Sequence, residues 1–69
     1  MNKVKWHSVI MMLRRKITNK PVKSIDLINF VNSRTDLSRN DIRTALEYLI
    51  DNKEIKKKYS TDGEEYIKY

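Results

Sequence analysis

Pro21 and Gly63 are the only proline and the only glycine in the chain, and they punctuate it. Ahead of Pro21, the residues Trp6, Val9, Ile10, Leu13 and Ile17 recur at three- and four-residue spacing. That pattern predicts a first helix over about 4–17 with one apolar face. Arg14 and Arg15 turn away from this face, Met12 lies on its flank and Met11 points nearly opposite it. The chain then breaks at Thr18-Asn19-Lys20-Pro21. Proline cannot donate to a ladder, which suits the start of a short edge strand over about 21–23.

Ser24 reads as an N-cap, with Asp26 complementing the helix dipole, and opens a second helix over about 24–33. Leu27, Ile28 and Val31 form its centre. Ile25 and Phe30 widen the apolar arc beyond a half-turn, so this helix is expected to pack on two sides. A four-residue link, Arg34 to Leu37, leads to a third helix over about 38–52. Ser38 caps it, Asp41 stands three residues on, and Leu37 and Ile42 occupy the two staple positions. Ile42, Ala45, Leu46, Leu49 and Ile50 then repeat as an amphipathic stripe. Asn52 or Lys53 ends the helix, Asn being the residue more easily placed left-handed. From about 54 to 69 the pattern changes to alternation on either side of Asp62-Gly63, the signature of a β-hairpin.

Length narrows the options further. Sixty-nine residues make one domain, 1–69, with a small core, and the absence of cysteine removes disulfides and thiolate metal sites. The longest apolar run, Val9 to Leu13, is far too short to cross a bilayer, and Arg14-Arg15-Lys16 follows it in place of a cleavage site. No membrane association is expected, and the localisation expected is intracellular: cytoplasmic, or nuclear in a eukaryotic cell. Fifteen Lys and Arg against nine Asp and Glu leave a formal charge of +6, which favours polyanionic partners. Enzymatic chemistry is not expected: His7 is the only histidine, and no glycine-rich loop is present to cradle phosphates. Neither a cofactor nor a metal is called for.

Helix, short strand, helix, tight link, helix and hairpin is an α+β order, and the whole chain resembles a small winged helix-turn-helix domain. The hairpin at Asp62-Gly63 would be its wing. What the resemblance implies is double-stranded DNA binding by a small regulator of phage or mobile-element type. Its third helix would enter the major groove. On that helix the base-reading candidates are Arg39, Asn40, Arg43 and Thr44: Arg can bridge two acceptors on guanine, and Asn can pair both ways with adenine. Phosphate candidates are Ser38 with the first helix amides, Lys56, Lys57 and Lys58 at the wing base, and Arg14 and Arg15. The three lysines equally suit a solvated edge strand guarded against aggregation, and for Arg39 and Arg43 the competing reading, a plain exposed helix face with Arg43 paired to Glu47, carries less weight than base reading. Three acids at the wing tip, Asp62, Glu64 and Glu65, speak against insertion of the tip into a minor groove.

A second resemblance points to protein binding. The stretches "LEYLIDNKEIKK" and "DGEEYIKY" are similar to the C-terminal winged-helix segment of cullins. The alternative function is therefore an interaction module, adaptor or inhibitor, using helix 1 or the acidic wing tip. The cullin modification site on helix 1 is not matched, since Met12-Leu13-Arg14 holds no lysine. Met11, turned outward, is the candidate contact for a partner or for a homodimer.

Overall fold

The computed structural model describes residues 3–69, with side chains from Trp6 onward; Met1 and Asn2 of the single-domain reading lie outside the described residues. The elements are α1 (Lys3–Lys16), β1 (Val22–Lys23), α2 (Ser24–Asn32), α3 (Arg39–Asp51), β2 (Ile55–Ser60) and β3 (Gly63–Lys68). Three helices thus pack with a three-stranded antiparallel sheet of order β1-β3-β2, an α+β domain ending in a hairpin. The apolar stripes meet in one core: Val9, Ile10, Leu13 and Ile17 of α1, Leu27, Ile28 and Val31 of α2, and Ile42, Ala45, Leu46 and Leu49 of α3. Leu37, Ile55 and Tyr66 complete it, and Trp6, Val22, Phe30 and Ile50 pack at its edge. Among the described residues no helix is long and apolar enough to cross a membrane.

The sheet is closed on both edges of β3, and its open end is tied to the segments that flank the helices. Val22 pairs with Tyr66 and Lys23 with Glu65, so β1 covers one edge of β3 while β2 covers the other. The amide of Lys68 donates to the Thr18 carbonyl (2.9 Å) and that of Tyr69 to the Glu54 carbonyl (3.0 Å). In the hairpin Ser60 faces Gly63, leaving Thr61-Asp62 as the turn. Gly63 has φ +117°, where a side chain is rarely tolerated, and a Cβ there would meet nothing within 4 Å. The glycine is therefore required for its backbone conformation and not for space.

Several local details depart from what the residues alone suggest. Ser24 is not the cap of α2. Lys23 occupies the N-cap without a side-chain bond, and Ser24 is the first helical residue and buried. The reason is that the β1 ladder runs straight into the helix, leaving no residue of link in which Ser24 could cap. Ile25 is 47% exposed, so α2 buries a narrower face than its composition allows. The α2–α3 link spans residues 33–38, longer than four, because α2 stops at Asn32 and Ser38 stands outside α3 as its cap. Thr35 holds this link in shape, its hydroxyl donating to the Val31 carbonyl (3.0 Å) and accepting from the Leu37 amide (3.3 Å).

Candidate nucleic-acid interface

The geometry of α3 follows from its first residues. Ser38 Oγ accepts from the Asp41 amide at 3.2 Å, satisfying one of the orphan donors of the first turn. Leu37 and Ile42 are both buried on either side of that cap, which fixes the angle at which the helix starts. With Ile42, Ala45, Leu46 and Leu49 inward, Arg39, Asn40, Arg43 and Thr44 are all exposed. Thr44 Oγ1 donates to the Asn40 carbonyl (2.9 Å), so its hydroxyl proton is engaged and its lone pairs stay available. Arg39 and Arg43 are four residues apart and hence neighbours on the helix surface. Like charges so placed destabilise a helix by about 0.2–0.5 kcal/mol. Among the described residues no acid pairs with either guanidinium.

Glu47, the residue four beyond Arg43, is drawn elsewhere. Lys57 Nζ lies 3.7 Å from its carboxylate and 3.9 Å from that of Glu64, tying the hairpin to α3. Burial works against the Lys57 charge, but Tyr66, Glu64, Tyr59 and Glu47 outweigh it and hold the ammonium above its ordinary value. Burial also raises the Tyr66 phenol, with Lys57 and Arg43 acting in the opposite sense.

The other cations are dispersed. Ile55, Lys57 and Tyr59 share the helix-facing side of β2, whereas Lys56 and Lys58 share the outer side, so the three consecutive lysines do not form one patch. Lys56 Nζ sits 5.9 Å from the centre of the Tyr69 ring, and Lys58 stands opposite Glu65. Arg14 forms a two-pronged pair with Glu54, Nε to Oε1 at 2.8 Å and Nη2 to Oε2 at 2.9 Å. Glu54 follows the C-terminus of α3, about 20 Å along the helix from Arg39 at 1.5 Å per residue. Arg14 is therefore neither free nor near the base-reading candidates. Arg15 is exposed on the solvent side of α1, opposite the stripe that meets the core. Met11 is 37% exposed, and its sulfur lies 3.9 Å from Arg14 Nη1.

Two arrangements fall outside the candidates drawn from sequence. Phe30 is flanked by Arg34 Cζ at 4.1 Å and Lys16 Nζ at 5.1 Å from its ring centre, which engages both cations on an aromatic face. Tyr59 projects from β2 beside Lys57 with 76% of its surface exposed. The alternation of Ile55, Lys57 and Tyr59 already put these three on one side; which side met the helices was not written in that alternation. Among the described residues no three His, Asp or Glu side chains gather as metal ligands. No family model, curated protein or solved structure matches the chain.

Proposed function

We propose that the chain is a winged helix-turn-helix module that binds double-stranded DNA, with α3 in the major groove. The observation that carries this is the pair Arg39 and Arg43: adjacent on a helix whose opposite face is core, exposed, and without an acid partner among the described residues. A polyanion lying along α3 relieves their mutual repulsion, and guanine offers each a two-acceptor edge. Asn40 and Thr44 stand on the same exposed side and supply amide and hydroxyl groups for neighbouring bases. The order of elements and the sheet order β1-β3-β2 agree with this architecture. Free cations for phosphates are fewer than composition suggests, because Arg14 and Lys57 answer acids of the fold itself.

Binding to mixed genomic duplex fragments at about 50 and 200 mM salt tests the proposal. Three phosphate contacts give a slope of roughly −2.7 in log affinity against log salt, hence about forty-fold weaker binding at the higher salt. Salt-independent binding, or none, removes DNA as the partner.

Protein binding through α1 is the second reading, favoured by the outward Met11 beside the Arg14 guanidinium. A second copy of the chain is one occupant for that contact. The acidic hairpin tip is a poorer candidate, since Lys23 Nζ holds Asp62 at 3.4 Å. Met11→Glu tests whether two copies meet through α1 on the duplex. It leaves duplex affinity unchanged if α3 alone makes the contact, and lowers it together with the oligomeric state if two copies bind through α1.

A further inference from the structure

Tyr59 is the most exposed large apolar side chain among the described residues. Its position is set by the strand: Ile55 lies in the core, Lys57 reaches Glu47 of α3, and Tyr59 comes next on the same side of β2. Two residues of strand advance about 6.6 Å, and one turn back along α3 from Glu47 to Arg43 covers about 6 Å. The chain reverses between Asp51 and Ile55, so both steps run in the same sense. From the Lys57–Glu47 contact, β2 thus carries Tyr59 towards the Arg43 end of α3. Among the described residues, the Lys57 ammonium lies over its ring, 6.0 Å from the ring centre.

We propose that Tyr59 extends the α3 surface, its ring packing against the sugar–phosphate edge of the duplex that Arg43 reads. This rests on the DNA-binding reading above. The hairpin meets the duplex by its flank and not by its tip. Asp62 at the tip is answered by Lys23, and on the flank the one ammonium of Lys57 is shared between Glu47 and Glu64, so both places hold carboxylates that repel phosphates and the contact suited to the flank is an uncharged one. A neutral ring is free of such repulsion, and an amphipathic tyrosine suits a surface that is apolar on the sugar and polar on the phosphate.

A backbone contact carries no sequence information, and an uncharged one releases no counterion. Tyr59→Ala is therefore expected to weaken binding by roughly threefold or more on preferred and random duplexes alike, with an unchanged salt slope. Arg43→Ala, measured beside it, is expected to act on preferred duplexes. Unchanged affinity in Tyr59→Ala while Arg43→Ala weakens preferred binding would overturn the Tyr59 assignment alone. A loss confined to preferred sequences would overturn it too, because the contact would then read bases. Failure of the wild-type chain to bind any duplex would remove the assignment together with the reading beneath it. Tyr59 is not part of the core, and matching thermal unfolding of variant and wild type excludes a folding artefact.

Discussion

Arg14 and Glu54 face each other across the end of the domain through two parallel hydrogen bonds, although forty residues of chain separate them. The pair ties the last turn of α1 to the turn that reverses the chain after α3. It is solvent-exposed, so its strength lies in two-pronged geometry and not in burial. The hydrogen bond from Arg14 is the largest influence on Glu54 and holds its carboxyl below the ordinary range; burial opposes it.

The sign of the pH dependence follows. A lowered folded value means that the stabilisation is fully present above the ordinary carboxylate range and is lost as pH falls through the lowered value. Glu54→Gln is expected to be less stable than wild type at about pH 7, with the gap closing towards about pH 3. Urea unfolding at several pH values measures it, and a gap that persists unchanged in acid would show that the charge on Glu54 is not what Arg14 uses.

The opposite limb belongs to Lys57 and Tyr66, whose folded values are both raised. Their contributions are intact below the ordinary lysine and tyrosine values and fade as pH rises through the folded ones. Stability is therefore expected to fall above about pH 10. Tyr66→Phe has no phenol to titrate, so its stability relative to wild type should improve steadily over that range. Alkaline unfolding followed by circular dichroism checks this, and parallel curves for the two proteins would contradict it.

At the end of α3 the left-handed position falls to Lys53, with φ 59°, while Asn52 keeps φ −81°. The Lys53 amide bonds to the Ile50 carbonyl (2.9 Å) and the Glu54 amide to the Leu49 carbonyl (3.0 Å), the paired bonds of a Schellman motif. A lysine in this conformation costs about 1–2 kcal/mol relative to the right-handed one, a penalty glycine escapes. Lys53→Gly is expected to stabilise the domain by about 0.5–1 kcal/mol once the greater freedom of unfolded glycine is counted. Lys53→Val is expected to destabilise it. Urea midpoints for both variants provide the comparison.

This turn also marks where sequence stops being sufficient. The buried faces of α1 and α3 follow directly from three- and four-residue spacing, and the Ser38 cap from a local bond three residues long, so both were legible. Which of Asn52 and Lys53 turns left-handed depends on where Leu49 and Ile55 must sit in the core, and intrinsic preference for Asn is overridden. The role of Ser24 was hidden for a similar reason, because pairing of Val22 and Lys23 with β3 determines where α2 begins. Charge partners were the least legible feature. Arg14 looked free until α1 packed beside residue 54, and Lys56 to Lys58 looked like one patch until the sheet chose which face met the helices. The four exposed residues of α3 emerged from periodicity alone, whereas the absence of an acid partner for Arg43 among the described residues goes with Lys57 reaching Glu47.

That separation of the lysines gives the sharpest prediction for the DNA-binding proposal. Lys58 is exposed on the side of β2 away from Tyr59, so a phosphate contact there requires the duplex to lie along the open edge of this strand, and it would release a counterion. Lys58→Ala should then reduce the magnitude of the salt slope by about 0.9. Lys57 already answers Glu47 and Glu64, and Lys57→Ala should leave the slope nearly unchanged while loosening the hairpin from α3. Arg43→Ala behaves differently from both. It is expected to cost about 1–3 kcal/mol on preferred sites and much less on random sequence. Titrations of the three variants against one preferred and one random duplex, across salt, resolve these patterns. A uniform loss for Arg43→Ala would make it a phosphate contact, and a slope change in Lys57→Ala equal to that in Lys58→Ala would mean that DNA displaces Glu47 and Glu64 from Lys57 on binding.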